Sequence, residues 1–363
     1  MSPVESASHR RPPRAARGPA PTLHDVARAA GVSLATASRV LNGSQRKVAD
    51  SFRERVESAA RDLGYTANVS AQAIARGTSP VIALLVADIA DPYFGQIASG
   101  VARGADEEGL IVTVAITERE PAREVRILHA LRGQRPRGVI LAASRAGERD
   151  AAALEELAGF AALGGRTVTF GAGGDRSIRI PNRQGAEQLG RAMAELGYRR
   201  AIGLGADEGV STSDDRLAGF TAGFAAGGGE LSRVYRGTFE RESGAASMTR
   251  ALADGVPSET LVFALSDVVA IGAMTAIRDA GRAVGADIAV CGFDDVPASR
   301  DVSPRLTTVG VPLRDLGYQA FRATVDAEWQ QPEMRLEVLV RESTPGLPVP
   351  PDPAAPERER RSR

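Results

Sequence analysis

Cysteine, lysine, histidine and aromatic residues are scarce in this chain of 363 residues. The single cysteine, Cys291, excludes an intramolecular disulfide framework and fits a reducing compartment. The only lysine, Lys47, lies near the N-terminus, which excludes a P-loop lysine or a Schiff-base lysine in the rest of the chain. The histidines, His9, His24 and His129, are too scattered for a metal site. We therefore expect no catalytic site, no cofactor and no metal, and the chain is predicted not to be an enzyme.

Long apolar runs are also missing. The longest, residues 81–86, has the length of a strand and falls far short of the roughly 18–20 residues of a membrane helix. Residues 1–20 are basic and rich in proline, and they lack the apolar segment of a signal peptide. Aromatic residues make up only 4% of the chain, so the core must consist mainly of Ala, Val, Leu and Ile. These features predict a cytoplasmic protein with no membrane partner.

The formal net charge is zero, but the charges are unevenly distributed. Residues 1–79 contain twelve Lys or Arg residues and six Asp or Glu residues, a net charge of +6, which leaves −6 for residues 80–363. A basic N-terminal segment ahead of an acidic remainder suggests that this segment binds a polyanion. A merely solvated N-terminus is the alternative, and the motifs within the segment decide between the two.

The chain divides into segments of different composition. Residues 1–20 and 344–363 are rich in Pro and Arg and are predicted to form a disordered basic arm and a disordered tail. Residues 21–65 have a helical pattern, residues 66–79 form a linker, and residues 80–343 alternate strand-like and helical runs. This alternation predicts an α/β body with doubly wound parallel sheets, and its length suits two such units.

Two short helices separated by a glycine turn open the helical segment. Thr22 and Asp25 have the spacing of a capping box, and Gly31 provides the left-handed turn that ends the first helix. Ser33 is expected to cap a second helix over residues 34–41. The inner side of that helix is expected to consist of Ala37, Val40 and Leu41. Two helices joined in this way form a helix-turn-helix, for which a small structural bundle is the alternative.

A third helix is predicted to follow. The Ser51 hydroxyl and the Glu54 side chain have capping-box spacing, and Gly64 is expected to end the helix. Its inward side is expected to consist of Phe52, Val56, Ala60 and Leu63. With this helix, residues 21–65 have enough apolar positions for a small all-α domain.

The second helix is the one that enters the major groove in helix-turn-helix proteins. Its outward residues near the N-terminal end are Leu34, Ala35, Thr36, Ser38 and Arg39. The Arg39 guanidinium can donate two hydrogen bonds to guanine. The hydroxyl groups of Thr36 and Ser38 suit contacts to phosphates.

The run TLHDVARAAGVSLATASRVLNG resembles the opening of the LacI/GalR family of repressors, and ADSFRERVESAARDLGYTANVSAQAIARG resembles that family's third helix and hinge. The resemblance implies that a hinge helix in residues 66–79 folds on operator DNA and that Ile74 wedges into the central minor-groove step. An ordinary packing role is the alternative for Ile74, and Ala67 stands where the family usually has proline. The candidate DNA contacts are Thr22, Ser33, Leu34, Ala35, Thr36, Ser38, Arg39, Asn42, Asn68, Gln72 and Ile74.

The resemblance continues to about residue 343 through motifs such as ADIADPYFGQIASGV, TSDDRLAGF, FALSDVVAIGAM and DIAVCGFDDVPASRDVSPRLTTVGVP. It implies a periplasmic-binding-protein-like body of two α/β subdomains with a ligand in the cleft. Independently of the resemblance, Asp91 and Asp294 follow strand-like runs and therefore lie where open α/β sheets bind ligands. The residues that the resemblance places around the effector are Tyr93, Phe94, Thr212, Arg216, Phe239, Ser266, Asp267 and Asp294.

The chemistry of these side chains favours a sugar over a nucleobase as the effector. Arg216 and Asp294 can share vicinal hydroxyls through charge-assisted hydrogen bonds. Phe94 and Phe239 offer flat apolar faces for a pyranose ring or a base. The structural alternatives are a helix cap for Asp267, core packing for Tyr93 and Phe94, and a solvated helix position for Arg216.

The sequence therefore predicts a cytoplasmic, nucleoid-associated homodimer that represses a metabolic operon by binding palindromic double-stranded operator DNA under the control of a small-molecule effector. Prolines in residues 344–363 exclude the C-terminal heptad helix that tetrameric members of the family carry. The alternative is a solute-binding protein that serves a sugar transporter. Such a protein would share the body, but it would need export and would lack the helical segment.

Overall fold

The computed structural model describes residues 21–41, 48–66, 79–142, 151–171 and 173–347. The chain divides into two compact units, Met1–Ser79 and Pro80–Arg363, which we call the head and the body. Within the described ranges, no helix has the length and apolar character that crossing a membrane requires.

The head contains the predicted helix-turn-helix. Its helices are α1 (Leu23–Ala30), α2 (Leu34–Leu41) and α3 (Asp50–Asp62). The capping box of α1 is confirmed, because the Thr22 hydroxyl accepts the Asp25 N–H and the Asp25 carboxylate accepts the Thr22 N–H at 2.9 Å. Gly31 has a φ of 62°, so the left-handed turn after α1 is also confirmed. At the start of α2, the Ser33 hydroxyl accepts the Thr36 N–H at 3.1 Å, as expected of a cap.

The third helix differs from its prediction in two respects. It begins at Asp50 with Ala49 as the N-cap, so Ser51 lies inside the first turn and the predicted capping box is wrong. Phe52 and Leu63 are 42% and 38% exposed, so their predicted inward positions are also wrong. Both residues lie at the ends of α3, whereas α1 and α2 pack against its middle. The buried residues of that middle part are Val56, Ala59 and Ala60.

The body begins with a subdomain built on a five-stranded parallel sheet. Its strands are β1 (Ser79–Val86), β2 (Ile111–Ile116), β3 (Pro136–Ala142), β4 (Arg166–Phe170) and β5 (Arg176–Ile178). Its helices are α4 (Pro92–Glu107), α5 (Pro121–Gln134) and α6 (Ala151–Ala162). The strand order is β2-β1-β3-β4-β5, so the chain leaves β1 for one side of the sheet and later continues on the other. Strand β1 is almost entirely apolar because it is buried between the helical layers.

The second subdomain repeats this arrangement with a four-stranded parallel sheet. Its strands are β6 (Arg200–Ala206), β7 (Glu230–Gly237), β8 (Thr260–Ala264) and β9 (Ile288–Cys291). Its helices are α7 (Asn182–Glu195), α8 (Ser211–Ala226), α9 (Arg241–Ala253) and α10 (Asp267–Asp279). The order β7-β6-β8-β9 again reverses beside the first strand. Two doubly wound parallel sheets confirm the predicted fold class of the body.

The chain then returns to the first subdomain, and the last described residues lie on the second. The remaining elements are α11 (Ala298–Asp301), β10 (Thr308–Gly310), α12 (Leu313–Val325) and β11 (Glu337–Leu339). Strands β10 and β11 pair antiparallel, and α12 packs against α4 of the first subdomain. A Cβ on Gly100 would lie 1.9 Å from the Arg314 carbonyl oxygen, so this helix pair requires glycine at the crossing. The two subdomains are therefore joined by several passages of the chain.

Residues 344–347 differ from their prediction as part of a disordered tail. Thr344 is 1% exposed, and its side-chain oxygen lies 2.7 Å from that of Thr307. The Leu347 N–H donates to the Leu196 carbonyl oxygen at 2.8 Å. These hydrogen bonds hold residues 344–347 on the second subdomain, so their assignment to a disordered tail is wrong. The predicted N-terminal arm and the remainder of the tail lie outside the described residues.

Candidate functional site

A cavity of about 480 Å³ lies within the body at the carboxyl edges of both sheets. The first subdomain contributes residues that follow β1 and β2, and the second contributes residues that follow β6, β7 and β8. Open α/β sheets bind ligands at this edge, where the strand order reverses. The polar and aromatic residues that line the cavity include Asp91, Tyr93, Phe94, Thr117, Arg119, Thr212, Arg216, Phe239, Ser266 and Asp294.

The most firmly held side chain of the cavity is Arg216 on α8, which is 2% exposed. Its Nη2 donates to Asp294 Oδ1 at 2.8 Å, and its Nη1 donates to the Leu265 carbonyl oxygen at 2.7 Å. Its Nε donates to Asn182 Oδ1 at 2.9 Å. The guanidinium carbon lies 3.9 Å from the centroid of the Phe293 ring. Because three acceptors and an aromatic face fix this guanidinium, the alternative of a solvated helix residue is wrong.

Asp294 completes the buried ion pair. Burial raises the pKa of its carboxyl group to about 6, although the Arg216 guanidinium opposes the shift. Its backbone has a φ of 113°, a left-handed conformation that costs a non-glycine residue about 1–3 kcal/mol. The Asp294 N–H donates to the Val309 carbonyl oxygen at 2.8 Å, which helps to hold this conformation. The carboxylate is therefore fixed at the cavity wall before any ligand arrives.

The predicted aromatic residues also reach the cavity. Phe94 is 5% exposed and belongs to the hydrophobic core as well as to the cavity wall, so packing and lining are not exclusive roles. The rings of Tyr93 and Phe94 meet edge to face, with centroids 5.0 Å apart. Phe239 from the second subdomain is half-buried, and Thr212 lies on the first turn of α8. These four side chains line one cavity together with Arg216, Asp294 and Ser266. The cavity therefore brings together seven of the eight residues expected around an effector.

Asp267 is the exception among the expected effector residues. It is completely buried, and its Oδ2 accepts the Val296 N–H at 2.9 Å while its Oδ1 accepts the Thr308 hydroxyl at 2.5 Å. It is the first residue of α10, whose N-cap is Ser266. Burial raises the pKa of Asp267 well above its usual value. The carboxyl group therefore joins α10 to the Val296 backbone and the Thr308 hydroxyl, and Asp267 does not line the cavity as expected.

Sequence reasoning missed Arg119 as a cavity residue. Its guanidinium lies 5.3 Å from the centroid of the Phe239 ring and 6.0 Å from that of Phe94. Its Nη2 lies 4.0 Å from Oδ2 of Asp91, whose Oδ1 accepts the Tyr93 N–H at 2.9 Å. Burial raises the pKa of the Asp91 carboxyl group. The position of Arg119 was predictable from the sequence, because Arg119 follows β2 just as Asp91 follows β1, and both strands end at the same edge of the sheet.

In the head, α2 has exposed residues at both ends, and Arg39 lies in the last turn of the helix and not near its N-terminal end as expected. Leu34 is 39% exposed, and Ala35 and Arg39 are also exposed. The Thr36 side-chain oxygen lies 2.8 Å from that of Ser33, so these two hydroxyl groups are arranged by the helix cap itself. The expected DNA contacts Asn42, Asn68, Gln72 and Ile74 lie outside the described residues.

Comparison with known protein families gives one match for each unit. A model for bacterial regulatory proteins of the lacI family matches residues 22–68, which include the helix-turn-helix. A periplasmic binding protein-like domain matches residues 191–344 of the body. The lacI match places a DNA-binding head on this chain, which favours a regulator over a solute-binding protein of a transporter.

Curated relatives extend over nearly the whole chain. The transcriptional regulator GalR of Escherichia coli (strain K12) is 32% identical over 82% of this chain and 87% of its own length. The regulator CelR of Thermobifida fusca is 31% identical over 89% of this chain and 98% of its own. The ribose operon repressor of Halalkalibacterium halodurans is 31% identical over 90% and 97%.

Solved structures agree with these relatives. The Lac repressor dimer bound to operator and the anti-inducer ONPF has a TM-score of 0.75 and 26% identity, over 89% of this chain and 98% of its own. A CelR–cellobiose complex has a TM-score of 0.63 and 30% identity, over 89% of this chain and 99% of its own. With this head, this body and these relatives, the chain belongs to the LacI family of bacterial transcriptional regulators.

Proposed function

We propose that the protein is a homodimeric repressor that binds a palindromic operator of a metabolic operon in the cytoplasm and is controlled by a sugar in the body cavity. A relative named as a ribose operon repressor and a solved CelR–cellobiose complex support a sugar as the effector class. The dimeric, operator-bound Lac repressor supports two copies on one DNA site. Two-fold symmetry of the protein would then match the two half-sites of the operator.

The observation that carries the proposal is the buried pair of Arg216 and Asp294 at the cavity wall. The Arg216 guanidinium donates to Oδ1 of Asp294, and both residues line the cavity. A charged acceptor and a charged donor side by side suit two neighbouring hydroxyl groups of a sugar. Phe94 and Phe239 supply the apolar faces that a pyranose ring needs.

The cavity volume and its walls also support this class of ligand. A cavity of about 480 Å³ is within the range of sites for small molecules. The lining combines three aromatic rings with many hydrogen-bonding groups, a composition that suits a monosaccharide or disaccharide. Because both subdomains contribute to the wall, a ligand that bonds to both would favour one arrangement of the two over another.

The head supplies the DNA-binding half of the proposed function. Arg39 is the proposed base-reading residue, because its exposed side chain leaves α2 beside Ala35 and Leu34. Thr36 and Ser38 are proposed to position the phosphate backbone. The effector would alter DNA affinity through the residues that join the head to the body, where the hinge helix is proposed.

Calorimetry with the full-length protein tests the effector class most simply. D-galactose, D-ribose and cellobiose should be titrated separately, with the polyol D-mannitol as a control that lacks a ring. We expect one of the three sugars to bind with a saturable isotherm and to change the affinity for operator DNA selected from random sequences. Absence of binding by all three would contradict the sugar assignment.

A further inference from the structure

We propose that Thr117 is a ligand-recognition residue whose hydroxyl group hydrogen-bonds the effector, directly or through one trapped water molecule. The inference rests on the proposed function, because it concerns the cavity in which the effector is proposed to bind. It adds a specific contact on the first subdomain, where the residues expected around the effector were Tyr93 and Phe94. The ligand chemistry that fits is a sugar hydroxyl group, since a threonine hydroxyl can both donate and accept.

The first observation is that the Thr117 hydroxyl group lacks a partner. Thr117 follows β2, lines the cavity and is 1% exposed, yet its Oγ1 has no hydrogen bond to any of the described residues. Its backbone, by contrast, is paired, because its N–H donates to the Val86 carbonyl oxygen at 2.9 Å and its carbonyl accepts the Glu120 N–H at 3.0 Å. Buried polar groups without partners are uncommon because they cost stability. The unpaired atom is therefore the side-chain hydroxyl alone.

The second observation is the position of Thr117 among polar groups of the same wall. Arg119, two residues further on, lies near Asp91 and over the aromatic rings, as described above. Glu118 and Arg119 have φ values of 54° and 55°, so two consecutive non-glycine residues adopt the left-handed conformation directly after Thr117. Strained backbone of this kind concentrates at functional sites. The turn keeps Thr117 and Arg119 together at the cavity edge.

The third observation is a contrast with another threonine in the body. Thr260, at the start of β8, is 3% exposed, and its hydroxyl also has no partner among the described residues. It lies at the amino end of its strand and does not line the cavity of Thr117. Thr260 thus has the same residue type, the same burial and the same missing hydrogen bond, but no access to the effector. It provides a matched control.

The experiment compares Thr117→Val, Thr117→Ser and Thr260→Val in the full-length protein. Valine keeps the shape of threonine and removes the unpaired hydroxyl group. In the ligand-free protein, both valine variants should melt higher than the wild type, by about 2 °C. A lower melting temperature for Thr117→Val alone would overturn the inference, because it would mean that the hydroxyl group already has a structural partner.

Calorimetry with D-galactose, D-ribose and cellobiose then separates the two threonines. For the sugar that binds the wild type, Thr117→Val should weaken binding about tenfold, which corresponds to one hydrogen bond. Thr117→Ser should restore most of the affinity, and Thr260→Val should bind as the wild type does. Wild-type binding with an unchanged affinity in Thr117→Val overturns this inference and leaves the proposed function intact. No binding of any of the three sugars to the wild type overturns both.

Discussion

The two walls of the cavity differ in how firmly their side chains are held. On the second subdomain, Arg216 and Asp294 are at most 5% exposed and bonded to one another and to neighbouring groups. On the first subdomain, Arg119 is 29% exposed and lies 4.0 Å from Asp91, beyond a close hydrogen bond. The Thr117 hydroxyl group on that wall has no hydrogen-bond partner among the described residues. The wall on the second subdomain is preorganised for a ligand. The wall on the first subdomain has hydrogen-bonding groups that the described residues leave unused.

This difference indicates how ligand binding could be coupled to movement of the subdomains. A preorganised wall binds ligand with little rearrangement, because its donors and acceptors are already in place. A wall with unused hydrogen-bonding capacity gains contacts only when the ligand bridges to it. Ligand binding would then stabilise the arrangement of subdomains in which both walls reach the ligand. The substitutions below test the contrast from its largest expected effect to its smallest.

Arg216→Ala should have the largest effect, because it removes the centre of the preorganised wall. It leaves the buried Asp294 carboxylate without its partner, and breaking such a pair costs about 3–5 kcal/mol of unfolding free energy. Ligand affinity should fall at least about a hundredfold, since the loss of a charged donor leaves its acceptors unsatisfied. Urea unfolding and calorimetry with the bound sugar measure the two effects.

The double variant Arg216→Met/Asp294→Leu is the matched control for that experiment. Removing both charges leaves no unpaired ion, so the double variant should recover at least about half of the lost unfolding free energy. Its sugar affinity should remain as low as that of Arg216→Ala. If Arg216→Ala binds sugar like the wild type, the wall on the second subdomain does not hold the ligand. The proposed difference between the two walls would then be wrong.

Lower pH should weaken sugar binding through Asp294. Because burial raises the pKa of this group to about 6, the neutral acid replaces the carboxylate as pH falls through that value. At pH 5, one unit lower, about a tenth of the groups stay ionised, so affinity should fall about tenfold between pH 7 and pH 5. Calorimetry at both pH values tests this. Asp294→Asn should bind weakly and equally at both, and an identical pH dependence in that variant would assign the effect to another group.

Arg119→Ala should have a smaller effect, because the first wall is loosely bonded. We expect about a threefold to tenfold loss of sugar affinity, the range for one surface-accessible hydrogen bond. The melting temperature should stay within about 1 °C of the wild type, since exposed ion pairs contribute little to stability. Arg119→Lys keeps the charge and should recover part of the affinity. A loss as large as that of Arg216→Ala would remove the distinction between the walls.

Asp267→Asn should leave sugar affinity unchanged within about twofold, because the carboxyl group of Asp267 bonds to Val296 and Thr308 and not to the cavity. Stability should fall by about 1–3 kcal/mol, since the amide cannot replace both acceptor contacts. Calorimetry measures the sugar affinity, and urea unfolding measures the stability. If the free energy of sugar binding falls by more than the free energy of unfolding, Asp267 belongs to the ligand site.

Local signals in the sequence were reliable where they act within one turn of chain. The Thr22–Asp25 capping box and the Gly31 turn were predictable because all of their partners lie within a few residues. The same reasoning failed at Ser51, because Ala49 is the N-cap and the helix begins at Asp50.

The cavity was predictable in position but not in detail. Parallel strands end at a common edge, so Asp91 and Asp294 could be placed there from the sequence. The different fates of Ser266 and Asp267 depend on which backbone groups of distant segments reach α10, and no local pattern encodes that. The unpaired Thr117 hydroxyl is likewise a property of the assembled fold. A missing hydrogen bond leaves no mark on the sequence.

We expect a sugar at the Arg216–Asp294 wall to control DNA binding by the head. Fluorescence anisotropy of the full-length protein on operator DNA selected from random sequences tests it directly, with the sugar that binds in calorimetry. The sugar should change the operator affinity of the wild type at least about fivefold. It should have no effect on Arg216→Met/Asp294→Leu, whose sugar-free operator affinity should match that of the wild type. An operator affinity that ignores the sugar in the wild type, or responds to it equally in the double variant, would contradict the claim.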